Sequence, residues 1–363
     1  MMAFSGYKLR MGRASVPDAT LPDPGELAAI PPPSLGEPPP AIGMLKLPDG
    51  TVIRHACWEP PQPPRATLLM LNGRSEFIEK YDELARDWTA RGYRVFSLDW
   101  RGQGHSTRPL PPPRHERHYL TDFGVLEEDL QCFLERVVIP RQAGPLVLYA
   151  HSMGGHIAAR YLATGRRHFA AAVLSAPMVD ISTNGVPRPI VRVLAAIMTA
   201  IGFGTAYALG QSDYDPQRQS FATNPVTHDP RRWAIHHQWF RTHPELRVGG
   251  VTWAWLNATF RSVDLLARTE TVAGVDLPLL VLSPAQDPLI PPDAHREFCL
   301  RYHSCALIRY PEARHEVLME TDDLRFQAWE HIDSFLEPIV CKADETGDSN
   351  LGGGVLGDAA VSA

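Results

Sequence analysis

The chain has 363 residues, of which 44% are hydrophobic and 21% are charged, and its formal net charge at pH 7 is −6. This length and composition indicate a soluble globular protein with one large core and an insertion, or with two modest domains. The acidic balance and the absence of a dense Lys/Arg cluster exclude nucleic acid as an expected partner.

The five cysteines are scattered along the chain and form no C-x-x-C motif; they are Cys57, Cys132, Cys299, Cys305 and Cys341. Their odd number and their spacing predict reduced thiols, and argue against a disulfide or zinc framework. The N-terminal residues contain no apolar segment of the kind found in signal peptides. We therefore expect a cytoplasmic protein.

The chain begins with a segment in which no regular structure is predicted. Residues 1–40 are rich in Pro, Gly and Ala and include two Pro-Pro-Pro runs, so we expect a flexible arm. The sequence LPDG at 47–50 separates two apolar runs. It predicts a hairpin between Met44 and Trp58.

From Thr67 the pattern becomes strand, loop and helix, repeated. Short apolar runs predict buried strands at 67–71, 94–98, 146–150, 171–175, 279–283 and 306–310. Helical periodicity lies between them, and the last predicted helix runs from Asp322 to Leu336. The alternation predicts an α/β fold with a mostly parallel, doubly wound sheet formed by residues 41–180 and 265–340. We expect the polar, Gly- and Ala-rich residues 341–363 to be a disordered tail.

The alternation stops in residues 181–264, which predicts a helical cap inserted over the functional edge of the sheet. Within it, Leu194–Leu209 carries no charge, but it is short for a membrane span and contains two glycines. Such an apolar segment either lines an acyl pocket, and so contributes to substrate binding, or touches a bilayer surface. Asp229 and Pro230 predict the start of a second cap helix, with the acid at the N-cap.

The most informative stretch is Leu146–Leu162, which reads LVLYAHSMGGHIAARYL. Its first five residues predict a buried strand, and from Met153 the apolar residues follow a helical period. Ser152 lies at the junction, with small residues two positions before it and two and three positions after it. This is the pattern of a nucleophile elbow, in which a strained turn exposes the serine hydroxyl. The usual first glycine of G-x-S-x-G is replaced by Ala150.

Two further polar residues follow predicted strands at the same edge of the sheet. The order Ser152, Asp287, His315 along the chain is that of an α/β-hydrolase triad. An imidazole has the intrinsic pKa needed to take the serine proton, and an acid can fix its tautomer and stabilise its charged form. We therefore predict Ser152 as nucleophile, His315 as general base and Asp287 as its partner.

The loop that follows the first of these strands, Asn72–Glu76, is predicted to contribute to the oxyanion hole. Gly73 allows the backbone to approach the substrate closely. We assign the two oxyanion donors to the backbone N–H groups of Arg74 and Met153.

Other residues compete for these roles. His303 is an alternative base, and Asp293 an alternative acid that is more simply explained by its position in the first turn of a helix. His151 and His156 flank the nucleophile, but neighbours on an elbow or helix point away from the hydroxyl, which favours structural roles.

A second motif, DWRGQGHS at 99–106, contains G-x-G but lacks the later glycine and the acidic partner of a dinucleotide-binding fingerprint. We interpret it as a packed turn. An Asp99–Arg101 pair is expected to support the site, and Ser106 is expected to be structural.

Residues 44–339 resemble the serine hydrolases of the lysophospholipase and monoacylglycerol lipase group of the α/β-hydrolase superfamily. The segments that carry this resemblance are NGRSEFIEKYDELA, DWRGQGHS, HSMGG, SAPM, AQDPLIPP and RHEVLMETD. THDPRRW and HPELRVGG in the predicted cap are similar to the bacterial lysophospholipase branch. The sequence departs from the family pattern at Ala150 and at Asn72, where many relatives have histidine.

The resemblance implies hydrolysis of carboxylic esters of single-chain lipids, either lysophospholipids or monoacylglycerols, by a monomer or weak homo-oligomer. Such an enzyme needs no metal or organic cofactor. We expect it in the cytoplasm, with peripheral contact at the inner face of the membrane. The alternatives are an acyltransferase or a general carboxylesterase with the same triad. A non-catalytic receptor would have no need of the triad, and a dehalogenase or epoxide hydrolase would need a carboxylate in place of Ser152.

Overall fold

A computed structural model of the protein describes residues 34–268 and 275–346, without the side chains of 342–346. Within these residues the chain forms one eight-stranded sheet. Its strands are β1 (Ala41–Lys46), β2 (Val52–Trp58), β3 (Ala66–Leu71), β4 (Tyr93–Leu98), β5 (Leu146–His151), β6 (Ala171–Ser175), β7 (Leu279–Pro284) and β8 (Cys305–Tyr310).

The strand order is β1-β2-β4-β3-β5-β6-β7-β8. The β1–β2 and β2–β4 pairs are antiparallel, and every other pair is parallel. The predicted hairpin and the mostly parallel sheet are both confirmed. Strands β3, β5, β6 and β7 are buried along their whole length, which explains their unbroken apolar sequences.

The longer helices of the described residues are α1 (Asp82–Ala90), α2 (Gly124–Phe133), α3 (Met153–Ala163), α4 (Arg188–Met198), α5 (Pro230–Thr242), α6 (Trp253–Leu266), α7 (Pro292–Cys299) and α8 (Asp322–Thr346). Helices α1 and α8 pack on one face of the sheet, and α2, α3, α6 and α7 contribute to the core on the other. Alternate residues of β5 enter the two cores, Leu148 on one side and Val147 and Tyr149 on the other. The sheet is therefore doubly wound, as predicted. None of the described helices is long and apolar enough to cross a bilayer.

The two chain ends differ from the predictions in detail. Helix α8 continues to Thr346 rather than ending at Leu336, because Val340 is fully buried in the core and extends its apolar face. The predicted disordered tail is thus helical over its first six residues, and 347–363 lie outside the described residues. Of the predicted arm, only 34–40 are described. The Gly36 N–H donates to Asp82, and the guanidinium of Arg86 donates to the carbonyls of residues 37 and 38.

The prediction of reduced thiols was wrong for two of the five cysteines. Cys299, at the end of α7, and Cys305, at the start of β8, form a disulfide with their Cα atoms 5.4 Å apart. The short turn between a helix and the next strand brings them together. Spacing along the sequence alone did not reveal this. Cys57 and Cys132 are free thiols.

The segment between β6 and β7 contains α4, α5 and α6. Asp229 caps α5 by accepting hydrogen bonds from the N–H groups of Arg231 and Arg232, as predicted. Leu194–Leu209 is not one helix. Helix α4 is followed by a π-type turn over Thr199–Phe203, where Gly202 adopts a φ of +92° and ends the helical run.

Candidate active site

Ser152 lies at the sharp turn between β5 and α3, with φ +51° and ψ −115°. This conformation is unfavourable for a residue with a side chain, and the surrounding packing maintains it. A Cβ atom at Gly154 would lie 2.5 Å from the carbonyl oxygen of Asn72 and 2.7 Å from that of Leu71. Only glycine fits there, so this glycine of the predicted elbow is a steric requirement. Ala150 is fully buried in its strand.

The structure brings the three predicted triad residues together. His315 Nε2 lies 2.9 Å from Ser152 Oγ, and His315 Nδ1 lies 2.6 Å from Asp287 Oδ2. All three side chains are buried. Ser152 and His315 follow the carboxyl ends of β5 and β8, and Asp287 follows that of β7, where ligand sites of parallel sheets form.

The electrostatics of the site favour an ion pair between His315 and Asp287. Burial opposes protonation of His315, but the charge and hydrogen bond of Asp287 outweigh it and raise the pKa of His315 above its ordinary value. Burial also opposes ionisation of Asp287. The charge and hydrogen bond of His315 and the N–H groups of Leu289 and Ile290 nevertheless keep the pKa of Asp287 below its usual value. Asp287 is therefore ionised when His315 accepts a proton.

The turn after β3 leaves one of three consecutive N–H groups without an acceptor among the described residues. The Gly73 N–H donates to Glu76 Oε2, and the Ser75 N–H donates to Gln103 Oε1 at 2.7 Å. The intervening N–H of Arg74 has no acceptor among the described residues, and the same holds for the N–H of Met153. These are the two donors that the sequence predicted for an oxyanion.

Gly73 allows the predicted oxyanion turn, residues 72–76, to lie directly against Ser152. A Cβ atom at this position would be 3.1 Å from Ser152 Cβ and 3.1 Å from His151 Cδ2, and it would also crowd Glu76. Gly73 thus lies against Ser152, and its own N–H is committed to Glu76.

The DWRGQGHS turn supports the oxyanion turn, but not through the predicted ion pair. Asp99 pairs with Arg54 at 2.6 Å, and Arg101 pairs with Asp129. The Asp99–Arg101 prediction was wrong because β2 places Arg54 beside Asp99. The support comes from Gln103, whose amide donates to the carbonyls of Gly73 and Glu76.

The alternative residues lie elsewhere or are occupied. His303 and Asp293 are exposed on the surface. His151 Nδ1 lies 3.1 Å from the Ser175 carbonyl, and His156 Nε2 lies 2.6 Å from Ser262 Oγ. Burial lowers the pKa of each of these two histidines to about 3, so both are neutral near pH 7. Ser106 donates to the carbonyl of residue 99, which is a structural role.

A cavity of about 580 Å³ lies over Ser152 and His315. Its outer wall comes from the segment between β6 and β7, beginning at Gly210 and including Tyr214, Trp233 and Phe240. Among the described residues that line it, none belongs to Leu194–Leu209. The apolar segment predicted to contribute to substrate binding is therefore not part of this cavity.

A buried charged cluster that was not predicted from the sequence lies beside the triad and is formed by Glu76, Lys80 and Glu316. Lys80 Nζ lies 2.6 Å from a carboxylate oxygen of each glutamate. Burial opposes the ionisation of both acids. The charge of Lys80, with hydrogen bonds from Lys80 and Tyr81, nevertheless lowers the pKa of Glu76 below its ordinary value. The pKa of Glu316 stays raised, because burial and the charge of Glu76 together outweigh the effect of Lys80.

The two glutamates and His151 have ligand atoms within 4.8 Å of one another, which is a spacing suited to a metal ion. The ammonium group of Lys80 already occupies the position between the carboxylates. The cluster is therefore compensated by a side chain of this protein. The spacing of Glu76 and Lys80, four residues apart at the start of a helical segment, was the available sequence signal.

Comparison with known proteins agrees with this geometry. Residues 62–322 match the family described as serine aminopeptidase, S33. The chain belongs to this family. Over 278 residues it is 30% identical to lysophospholipase L2 of Escherichia coli K12, covering 74% of this chain and 79% of that protein.

Two further similarities extend the comparison. The chain is 28% identical to a probable lysophospholipase L2 of Haemophilus influenzae, covering 77% of this chain and 86% of that one. Its fold matches a soluble variant of monoglyceride lipase from Saccharomyces cerevisiae with a TM-score of 0.65 at 19% identity, covering 84% of this chain and 98% of the other. The predicted α/β-hydrolase fold and the predicted resemblance are thereby confirmed, and the protein is a hydrolase of the S33 family.

Proposed function

We propose that this S33 hydrolase cleaves the carboxylic ester bond of single-chain lipids through an acyl-enzyme on Ser152. The observation that carries the proposal is the hydrogen-bonded chain from Ser152 through His315 to Asp287, at the floor of a cavity. Beside it, the N–H groups of Arg74 and Met153 have no acceptor in the part of the chain that the structure describes. The relatives named as lysophospholipases and as a monoacylglycerol lipase support esters of this class.

In the first half of the reaction, Ser152 Oγ forms a bond to the ester carbonyl carbon while His315 Nε2 takes its proton. The oxyanion accepts hydrogen bonds from the N–H groups of Arg74 and Met153. The C–O bond to the alcohol then breaks, and His315 returns the proton to the departing alcohol oxygen. In the second half, water repeats these steps and releases the fatty acid.

Transfer of the acyl group to another alcohol would use the same residues. A general carboxylesterase would also use them and would differ only in the acyl chain of its substrate. The cavity of about 580 Å³ lies within the size range of ligand pockets and can accept more than a short ester. Supplying an acceptor alcohol distinguishes transfer from hydrolysis, because transfer yields a new ester in place of free fatty acid.

The test is labelling by a fluorophosphonate probe together with hydrolysis of lysophosphatidylcholine and monoacylglycerol. We expect labelling of the wild-type protein and none of Ser152→Ala. His315→Ala should remain folded and lose several orders of magnitude in ester turnover, since it removes the base. Near-normal turnover by His315→Ala, or labelling that survives Ser152→Ala, would contradict the assignment.

We also propose that the protein makes peripheral contact with a lipid surface. Ile190, Val193, Ile197 and Ile201 recur at helical spacing and are each half or more exposed, and Phe203 and Leu209 continue this apolar surface.

The monomeric or weakly associating state and the cytoplasmic location stay predictions. The Cys299–Cys305 disulfide removes one of the arguments for that location.

A further inference from the structure

One cation on the cavity wall differs from the others in having no carboxylate partner among the described residues. The guanidinium of Arg74 donates to the carbonyl oxygen of Gly249 at 3.1 Å and forms no ion pair there. Lys80, Arg218 and Arg232 also line the cavity, and each of them is paired with one or more acids.

The acids of the cavity wall are already engaged. Glu76 and Glu316 bind Lys80, Asp215 binds Arg218, and Asp213 accepts a hydrogen bond from Tyr207. The burial that lowers the pKa of Arg74 is only partly offset by the charge of Glu76. A partly desolvated guanidinium of this kind is stabilised when an anion enters the cavity beside it.

His236 lines the same cavity and supplies a second unsatisfied group. Neither ring nitrogen has a hydrogen-bond partner among the described residues, and because Nδ1 is closed off from solvent, Nε2 is the nitrogen that a ligand in the cavity can reach. The ring packs against Phe77 and Phe240. Burial, together with the nearby charges of Lys80 and Arg74, lowers the pKa of His236, so the ring is neutral and its N–H can donate without adding charge.

We propose that the Arg74 side chain and His236 form a subsite for the phosphate group of a lysophospholipid head group. A planar guanidinium matches phosphate oxygens with two parallel donors, and a neutral glycerol supplies no such charge. Arg74 then serves both parts of the substrate, because its N–H faces the ester oxyanion and its side chain faces the head group. This inference rests on the proposed function and narrows its substrate class to phosphate-bearing lipids.

The experiment compares kcat/KM for lysophosphatidylcholine and for a monoacylglycerol with the same acyl chain, both in the same detergent micelles. The quantity compared is the kcat/KM for lysophosphatidylcholine divided by the kcat/KM for the monoacylglycerol. General damage to the oxyanion turn lowers both values and cancels in this ratio. We expect the ratio to fall about tenfold or more in Arg74→Met, since a charge-assisted hydrogen bond is lost. Arg74→Lys should lose less, because it keeps the charge but not the fork.

Arg218→Met is the matched control, since Arg218 lines the same cavity but is exposed and already paired with Asp215. We expect it to change the ratio less than about twofold. A ratio that stays constant in Arg74→Met, or that falls equally in the Arg218→Met control, would overturn the subsite. Failure of the wild type to hydrolyse either lipid would instead contradict the proposed function.

A second measurement uses the wild-type protein and so does not depend on the folding of a variant. We expect sn-glycero-3-phosphocholine to inhibit monoacylglycerol hydrolysis competitively and glycerol at the same concentration not to inhibit it. Inorganic phosphate is tested in parallel. Inhibition by inorganic phosphate without inhibition by the glycerophosphodiester would show that Arg74 binds a free anion, and would contradict the head-group subsite. The absence of inhibition by either compound would also contradict it.

Discussion

The two halves of the segment between β6 and β7 are built on opposite principles. The inner segment, residues 224–240, is rich in charged and aromatic side chains and is bonded to the loop that carries His315. The outer segment, residues 188–209, presents exposed isoleucines, and Ala195 and Ala208 are its buried residues. One half of the insertion is therefore fixed to the catalytic loops, whereas the other has an apolar surface without a partner among the described residues.

The inner segment is held by several hydrogen bonds to the histidine loop. Thr227 Oγ1 donates to the Met319 carbonyl at 2.6 Å, and the Glu316 N–H donates to the Val226 carbonyl at 2.8 Å. His228 donates its N–H to Glu320 at 2.8 Å. These hydrogen bonds keep the inner segment, which lines the cavity, at a fixed position relative to His315. The outer segment has no such constraint on its exposed face, so contact with lipid can occur there without disturbing the triad.

The largest effect is expected from breaking the ion pairs of Arg232. Its guanidinium binds Asp229, Glu83 and Asp322 and donates to the Glu320 carbonyl. Arg232→Met removes the buried guanidinium that pairs with Asp229 and leaves this buried carboxylate only the exposed Arg231 as a charged partner. We expect a loss of ~3 kcal/mol in the free energy of unfolding, at the lower end for buried pairs because Glu83 and Asp322 are partly exposed. Urea unfolding followed by circular dichroism measures it.

The neighbouring Arg231 provides the matched control. It binds the same Asp229 and Asp322, but its side chain is 70% exposed. We expect Arg231→Met to cost less than ~1 kcal/mol. Equal losses in the two variants would show that the inner segment is not held by the buried charge of Arg232.

The next largest effect is expected in the pH dependence of activity. It distinguishes the buried Glu316 from the exposed Glu312 of the same loop. The proposed role of His315 as general base requires its neutral form. Because Asp287, Glu316 and Glu76 raise the pKa of His315, activity should begin to decline at a higher pH as the solution is acidified. Glu316→Gln removes one negative charge and leaves Lys80 less compensated. Both changes favour neutral His315, so the acid limb of the kcat/KM profile should move to lower pH.

Glu312→Gln is the control for this shift, because Glu312 is exposed in the same loop and solvent screens its charge. Its profile should match that of the wild type. A Glu316→Gln profile that coincides with both would show that the buried cluster does not influence the base. Profiles are measured on a short, soluble ester.

The fold, and the meeting of Ser152, Asp287 and His315, could be predicted from the sequence because both depend on local patterns. The buried strands have unbroken apolar runs, and the elbow requires glycine at 154 for a steric reason that is visible in the motif. Ser152, Asp287 and His315 each follow a predicted strand, and parallel strands bring such positions to one edge.

The features that were missed depend on residues distant in sequence. Arg54 reaches Asp99 only because β2 pairs with β4. Lys80 and Glu316 are 236 positions apart, and their pairing follows from the packing of two loops against the nucleophile. The Leu194–Leu209 segment was apolar as expected, but composition does not tell whether an apolar face points toward a cavity or toward solvent.

The smallest effect on chemistry is expected in the outer segment. Ile197→Asp places a charge in the exposed apolar face without touching the cavity, so hydrolysis of a soluble short-chain ester should change less than about twofold. Binding to phospholipid vesicles, measured by co-sedimentation, should fall clearly, because burying a charge at the lipid boundary is costly.

Phe326→Asp is the control, since Phe326 is 71% exposed on α8 of the core. Equal vesicle binding by wild type and Ile197→Asp would exclude the outer segment as the lipid contact. A wild-type dimer that dissociates in Ile197→Asp would assign this face to self-association instead.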